Sequence, residues 1–234
     1  QTLLYSLTET NDIPQTISQL AEKGHSTLQA ALGRLYRLSY VDMNTAFYWM
    51  SKAANGRQRE AQAMVGEMYD FGKGVPKDVT KAAQWYSEAA KQGERTSQYN
   101  ISILYFHGQG VPKDEAEAFK YCAAAAEQDY ADAQFRLGCL YGKQKNYEAE
   151  FIWLNRAAKN RNKKALCMLA RLYDGGIGTD KDENKALKWY TKAAFSGDVD
   201  AAFALGKKAL TMQYNDENYI FMLAWLLQAA QQGH

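Results

Sequence analysis

The chain has 234 residues, of which 47% are hydrophobic and 23% charged, and its formal net charge is +2. This composition is typical of a soluble folded protein with enough length for a sizeable core. The small charge gives no reason to expect nucleic acid as a partner, because nucleic-acid binding favours clustered Lys and Arg. No apolar run reaches the roughly 18 residues that a membrane-spanning helix needs, so we expect no membrane insertion.

The N-terminal segment carries no signal-peptide pattern of basic and then apolar residues. The chain starts at Gln1 rather than Met, which indicates processing or trimming. We predict that residues 1–20 form a degenerate N-terminal half-repeat or cap, since residues 13–24 have the pattern of a single helix that returns later in the chain.

From residue 21 to residue 234 the chain is periodic, which predicts a single solenoid of about six repeats. An aromatic residue recurs with spacings of 36, 36, 32, 36 and 36, at Trp49, Trp85, Tyr121, Trp153, Trp189 and Trp225. An alanine pair begins four residues after each of these aromatic residues. A second series places an apolar residue before a small one: Leu32-Gly33, Val65-Gly66, Ile101-Ser102, Leu137-Gly138, Leu169-Ala170 and Leu205-Gly206. Each period therefore predicts two helices, whose small residues allow close approach and whose aromatic residues fill the remaining gaps.

The loop inside a period reads "YDFGKGVPKD" at residues 69–78. Its D-F-G triplet and its glycines resemble kinase and phosphate-binding motifs. The loop returns as "YFHGQGVPKD" and "YDGGIGTDKD", however, and neither a V-A-I-K lysine nor a P-loop accompanies it. We interpret the loop as a turn in which Gly72 ends one helix and Asp78 caps the next.

The last predicted helix, "YIFMLAWLLQAA" at residues 219–230, is too apolar to end the array in water. We expect that the chain continues beyond His234 or that this helix docks on a partner, self-association included.

The sequence offers no constellation for chemistry, so we expect no metal, no cofactor and no catalytic residue. "DKDEN" resembles the opening of a calcium loop, but Lys185 and Thr191 stand where Gly and a bidentate Glu are needed. The cysteines Cys122, Cys139 and Cys167 lack the spacing of disulfide or zinc motifs, and we predict that they are buried free thiols. The histidines His25, His107 and His234 lack zinc-site spacing as well.

The repeats closely resemble the SEL-like (Sel-one-like) family, a relative of the tetratricopeptide repeat. Residues 61–93, "AQAMVGEMYDFGKGVPKDVTKAAQWYSEAAKQG", follow its consensus nearly throughout, as do residues 165–197. The resemblance implies an all-α fold, a right-handed α-solenoid of stacked antiparallel helix pairs. It also implies a non-catalytic scaffold or adaptor that binds a partner protein or peptide on its concave face.

In tetratricopeptide repeats the first helix of each pair faces the partner. The corresponding positions predict a partner-binding set: Arg34, Glu67, Phe71, Tyr99, Ile103, Phe106, His107, Phe135, Arg171, Phe203 and Lys207. Four of these are apolar neighbours with charge at both ends of the series, which is typical of an interface core with a polar rim. The alternative is that curvature buries the same four, Tyr99, Ile103, Phe106 and Phe135, between neighbouring first helices.

Members of this family include bacterial immunity proteins that neutralise toxins. The sequence of the loops favours a bacterial source. We expect the protein to be periplasmic or secreted, with the cytoplasm as the alternative location. The alternative function is an enzyme, such as a cysteine-dependent hydrolase of the family's cysteine-rich branch. That branch carries regularly paired cysteines, whereas the three here fall in non-equivalent positions.

Overall fold

The computed structural model describes residues 15–38, 42–211 and 224. This part of the chain contains twelve helices and no strand, which confirms the predicted all-α fold. In chain order the helices are α1 (Gln15–Glu22), α2 (Ser26–Leu38), α3 (Met43–Asn55), α4 (Arg59–Phe71), α5 (Val79–Lys91), α6 (Arg95–His107), α7 (Glu115–Glu127), α8 (Ala131–Lys143), α9 (Tyr147–Lys159), α10 (Lys163–Gly175), α11 (Glu183–Phe195) and α12 (Val199–Thr211).

Two compact units meet between Ala125 and Ala126, inside α7. In the first unit α2 packs on α3 and α4 on α5, and each pair packs on the next helix along the chain. In the second unit α8 packs on α9 and α10 on α11 in the same way. Each unit is therefore a stack of helix pairs, with the first helix of each pair on one side and the second helix on the other.

Several sequence predictions lie outside the described residues. They are the apolar helix at 219–230, its proposed docking, and most of the N-terminal cap. The extent of a single solenoid from residue 21 to residue 234 stays a prediction.

The predicted turn in "YDFGKGVPKD" is confirmed. Helix α4 ends at Phe71, and Gly72 adopts the left-handed conformation with φ of +67° while its N–H donates to the Met68 carbonyl. Left-handed backbone at a helix end is the conformation for which glycine is favoured. Asp78 caps α5, because its carboxylate accepts a 3.0 Å hydrogen bond from the Lys81 N–H.

The second glycine of the loop has a different role, which the sequence did not reveal. A Cβ atom on Gly74 would overlap the main-chain carbonyl of Met43, at the start of α3 in the preceding repeat. The same contact joins Gly110 to Val79 and Gly178 to Tyr147. The loop therefore touches the helix of the preceding copy, and only a residue without a side chain fits there.

The small residues of the first helices allow a neighbouring side chain to pack closely, as predicted, but that side chain is not the periodic aromatic residue. A Cβ atom on Gly66 would lie 2.7 Å from Cδ1 of Tyr86, and one on Gly33 would lie 2.7 Å from Cγ of Met50. The residue that enters the space is thus the neighbour of the periodic aromatic, not the aromatic itself. Tyr86 and Met50 are almost completely buried as a result.

Buried glutamines fasten four of the first helices, α2, α4, α6 and α8, to the end of the preceding second helix. Their side-chain amides donate to the carbonyl eight residues earlier: Gln29 to Ala21 at 2.8 Å, Gln62 to Ala54 at 3.3 Å, Gln98 to Ala90 at 3.3 Å, and Gln134 to Ala126 at 3.1 Å. Each of these carbonyls also accepts from a main-chain N–H of the turn that follows its helix. The glutamines therefore add a second hydrogen bond at these junctions between copies.

Candidate functional site

All eleven predicted partner-binding residues lie on first helices. In the first unit they occupy α2, α4 and α6, and in the second unit α8, α10 and α12. Six are exposed and five are half-buried. The exposed residues are Arg34, Phe71, His107, Arg171, Phe203 and Lys207, and the half-buried residues are Glu67, Tyr99, Ile103, Phe106 and Phe135.

A groove of about 370 Å³ lies on the first-helix side of the first unit. Helices α2, α4 and α6 supply most of its lining, including the predicted residues Arg34 and Glu67, and Tyr86 reaches it from α5. Because Gly66 lacks a side chain, the Tyr86 ring passes beside α4, and Tyr86 contributes to the lining of the groove. The groove lies on first helices, and partner binding by the predicted residues there stays a prediction.

The groove contains both signs of charge, and its carboxylates are already engaged. Glu67 accepts from Lys73 at 2.9 Å and lies 3.9 Å from Arg37. Glu60 pairs with Arg59 at 2.9 Å. A hydrogen bond from its own backbone N–H, followed by the one from Arg59, lowers the pKa of Glu60. Glu60 therefore stays ionised, and with its carboxylates paired to cations the groove is polar without a strong net charge.

Glu94, the third carboxylate of the groove, caps α6. It accepts hydrogen bonds from the N–H groups of Thr96 and Ser97, the latter at 2.5 Å. This N-terminal capping holds the start of α6 in place, and the negative charge of Glu94 interacts favourably with the positive end of the helix dipole.

Three buried polar atoms bordering the groove have no hydrogen-bond partner among the described residues: Nε of Arg37, Oη of Tyr86 and Oγ of Ser97. Tyr86 is 1% exposed and Ser97 is 0% exposed. Burial raises the pKa of Tyr86, and the Asp70 and Glu67 carboxylates raise it further, so the phenol keeps its proton at neutral pH. Asp70 and Asn100 lie near enough to affect that pKa but complete no hydrogen bond with the hydroxyl.

The aromatic residues of the predicted set differ in how they are held. Phe71 is 64% exposed, with the Lys73 ammonium 5.0 Å from its ring centre. Phe106 contacts His107 edge to face at 5.1 Å. Phe135, in the second unit, packs against the core cluster that contains Leu154. Phe135 therefore contributes to packing as well as to the surface.

In the second unit ion pairs join first helices, and one of them uses the predicted residue Arg171. Arg171 on α10 contacts Asp200 on α12 at 2.9 Å, and Asp174 contacts Lys208 at 2.5 Å. The predicted Phe203 is 44% exposed. These pairs join α10 to α12, so Arg171 has a role in the unit itself.

A second cavity, of about 500 Å³, lies in the second unit and was not predicted. Its charged lining is entirely basic: Lys159, Arg161, Lys163 and Lys192. The Lys192 ammonium lies 4.3 Å from the centre of the Trp189 ring. The four cations come from the ends of α9 and α10 and from α11, and no short motif in the sequence connects them.

The three cysteines are free thiols. Cys122 and Cys167 are buried, and Cys139 is half-buried with its thiol 3.9 Å from the sulfur of Met168. Within residues 15–38, 42–211 and 224, no three His, Cys, Asp or Glu side chains are grouped so as to hold a metal ion. Over the same residues, no helix combines the length and apolar character that crossing a bilayer requires.

Solved structures with this architecture include c5321, a protective antigen present in uropathogenic Escherichia coli strains displaying an SLR fold. It matches with a TM-score of 0.84 and 30% identity over 93% of this chain and 48% of that chain. The present chain thus spans about half the length of c5321. A Sel1 repeat protein from Oxalobacter formigenes matches with a TM-score of 0.76 and 30% identity, over 88% of this chain and 83% of that chain.

The immunity protein PA5088 from Pseudomonas aeruginosa matches with a TM-score of 0.51 and 19% identity, over 87% of this chain and 82% of that chain, and shows the fold alone. The family described as "Sel1 repeat" matches residues 28–56, 59–94, 96–130, 131–162, 163–198 and 223–234. The first five matches coincide with helix pairs, the sixth lies outside the described residues apart from residue 224, and together the matches cover most of the sequence. The chain belongs to the Sel1 repeat family and has its all-α solenoid fold of stacked helix pairs.

Proposed function

We propose that this chain is a non-catalytic scaffold that binds a partner protein along the first helices of its repeats. Sel1 repeat proteins are protein-interaction scaffolds. The observation that carries the proposal is the first-helix side of the repeats, because it holds all eleven predicted residues and in the first unit forms a groove that includes Arg34 and Glu67. A concave surface with convergent polar groups is a typical binding site.

The alternative, a cysteine-dependent hydrolase, needs an activated thiolate. Burial first, and then the Asp198 carboxylate, raise the pKa of the Cys167 thiol to about 11. Burial likewise raises the pKa of Cys139. Both shifts keep the thiol protonated at neutral pH, which favours a binding protein over this enzyme.

The immunity role and a periplasmic or secreted location stay predictions. The likeness to PA5088 supports the fold and not the role. Co-expression with a toxin encoded beside the gene tests the first, since an immunity protein restores growth. Cell fractionation tests the second.

The binding proposal is tested by capture of proteins from the organism that encodes the chain. A variant with Tyr99, Phe106 and Phe135 changed to Ala is compared with the unchanged chain. A matched control changes the exposed Ile152 and Phe195 of the second helices to Ala. We expect the first variant to lose a partner that the control retains.

Equal capture by both variants, with both folded, would place the binding surface elsewhere. Because Phe135 packs against the core, the melting temperature of each variant is measured first. A single Tyr99→Ala change serves if the triple variant unfolds.

A further inference from the structure

The basic cavity of the second unit, called the junction cavity from here on, lies where α9 and α11 end and α10 begins. None of the eleven predicted partner-binding residues lines it, and it shares no residue with the groove of the first unit. Its lining combines four cations with two large apolar side chains, Leu166 and Trp189, and contains no carboxylate. The junction cavity is therefore a surface of its own.

The junction cavity is open because a pair of polar side chains is missing from it. In two other copies, an amide on the first helix accepts a hydrogen bond from an amide at the end of the second helix: Gln62 from Gln92 at 2.7 Å and Gln134 from Asn160 at 2.9 Å. The fifth copy has Leu166 and Ser196 at these two positions, and both line the cavity. Leu166 cannot form a hydrogen bond, and the Ser196 hydroxyl donates to the Ala193 carbonyl of its own helix at 2.7 Å. The space that two amides occupy elsewhere is thus left open.

The charges at this junction also differ from those of an equivalent junction. Lys192 stands where the second copy has Glu88, and Lys164, next to Lys163, stands where it has Glu60. Both glutamates pair with a cation of their own copy. None of the four cations that line the junction cavity forms an ion pair with any of the described residues. The cavity therefore presents positive charge that the second unit itself does not balance.

The composition of the walls indicates which ligand fits. Four unbalanced cations favour a ligand with several negative charges, because each opposite charge nearby lowers the electrostatic energy. Leu166 and Trp189 are only half-buried, and the Lys192 ammonium lies 4.3 Å from the centre of the Trp189 ring, so charge and apolar surface lie side by side. A bare phosphate would leave the apolar wall in water. An apolar centre within a charged rim is instead the typical anatomy of a protein interface, and Trp is frequent at its energetic centre.

We propose that the junction cavity is a second docking site, which binds an acidic segment of a partner protein with an apolar side chain between its carboxylates. The apolar side chain contacts Leu166 and Trp189. The carboxylates pair with Lys159, Lys163 and Lys192. This site lies outside the surface of the proposed function, so each of the two can fail without the other.

The test uses a fluorescently labelled, C-amidated peptide that has one leucine between two pairs of aspartates. Fluorescence anisotropy with the full chain measures its affinity, and we expect a Kd of about 10–100 μM. One control peptide replaces the aspartates with asparagines, and another replaces the leucine with glycine. We expect each control peptide to bind about tenfold more weakly or not at all, because the cavity offers both charge and apolar surface.

Variants of the chain test the cavity itself. The double change Leu166→Gln with Ser196→Gln rebuilds the amide pair of the second copy, and we expect it to abolish peptide binding without lowering the melting temperature. Lys192→Glu introduces the charge of the second copy and is expected to weaken binding about tenfold. Lys188→Glu makes the same change at an exposed position of α11 outside the cavity, and we expect the affinity to stay within about twofold.

Absence of peptide binding overturns the proposal, and so does equal binding of the asparagine peptide. Equal losses in Lys192→Glu and Lys188→Glu, or an unchanged affinity in the folded double variant, do the same. Inorganic pyrophosphate that displaces the peptide at a lower concentration than the unlabelled peptide does would mark a phosphate site and also overturn it. If the peptide binds as expected and no partner depends on the first helices, only the proposed function fails.

Discussion

The side-chain amide of Gln29 donates a 2.8 Å hydrogen bond to the main-chain carbonyl of Ala21, in the last turn of the preceding helix. Gln29 is 5% exposed, and the bond crosses from α2 to α1. The same relation returns at Gln62, Gln98 and Gln134. Junctions between copies thus depend on directional bonds as well as on apolar packing.

Gln29→Leu is expected to lower the free energy of unfolding by about 0.5–1.5 kcal/mol, because the Ala21 carbonyl loses one of its two hydrogen bonds and keeps the one from the Gly24 N–H at 3.0 Å. Urea unfolding followed by circular dichroism measures the change. Gln84→Leu, at an exposed position of α5, is the matched control and is expected to stay within about 0.5 kcal/mol of the original. Equal losses in the two variants would show that the buried amide contributes nothing of its own.

Tyr86→Phe is expected to leave the free energy of unfolding unchanged or to raise it by up to about 1 kcal/mol. The physical reason is that the buried hydroxyl has no hydrogen-bond partner within the described residues, so its removal breaks no hydrogen bond. Thermal and urea unfolding check the result. A loss larger than about 1 kcal/mol would mean that the hydroxyl has a structural partner.

Gly66→Ala is expected to destabilise the first unit by about 1–3 kcal/mol, because the new methyl group would overlap the Tyr86 ring. In a Tyr86→Leu background the same change should cost clearly less, since the ring that it meets is absent. The double-mutant cycle measures this coupling. Strictly additive effects would contradict the contact.

The Cys167 thiol is expected to react slowly with iodoacetamide at pH 8, because its pKa is raised from 9.0 to about 11 and the thiolate is the reactive form. The unfolded chain, with an ordinary pKa, is the control and should label much faster. Rapid labelling of the folded protein would indicate an activated thiolate and revive the hydrolase alternative.

The same shift predicts a pH dependence of stability. Since the folded pKa lies above the unfolded one, the contribution of Cys167 is complete below pH 9.0 and is lost as the pH rises towards 11. Cys167→Ala should therefore show a flatter decline in the free energy of unfolding over that range. Parallel declines in the two proteins would contradict the raised pKa.

The helix pairs were predictable because apolar, small and aromatic residues repeat at fixed spacing and each type has one packing role. Gln29, Gln62, Gln98 and Gln134 also repeat, with spacings of 33, 36 and 36. Their spacing alone does not predict a buried contact, because polar residues are normally exposed. Their burial is compatible with a polar side chain because each amide bonds a carbonyl at the end of the preceding helix, a contact that a pattern of hydrophobicity does not represent.

The candidate site was predictable only in part. Arg34 and Glu67 occupy first-helix positions and border the groove, and their role in binding stays a prediction. Tyr86 and Ser97 were missed because they stand in packing positions and are almost fully buried, although both residues line the groove. Only the path of the Tyr86 ring past Gly66 reveals this, and such a path depends on three-dimensional packing.

The contact between Gly74 and the Met43 carbonyl has a consequence for the ancestry of the chain. Copies with the paired loop glycines, such as those of Gly74, Gly110 and Gly178, touch their predecessor through them. The first and fourth copies have short loops without that pair, "YRLSYVDM" and "YGKQKNYE", and each is the leading copy of one compact unit. By length, a short copy followed by two long ones thus occurs twice, although the sixth copy, "ALTMQYNDEN" at residues 209–218, has lost the glycine pair. A repeated order of copy lengths is the pattern that tandem duplication of a three-copy gene segment leaves behind.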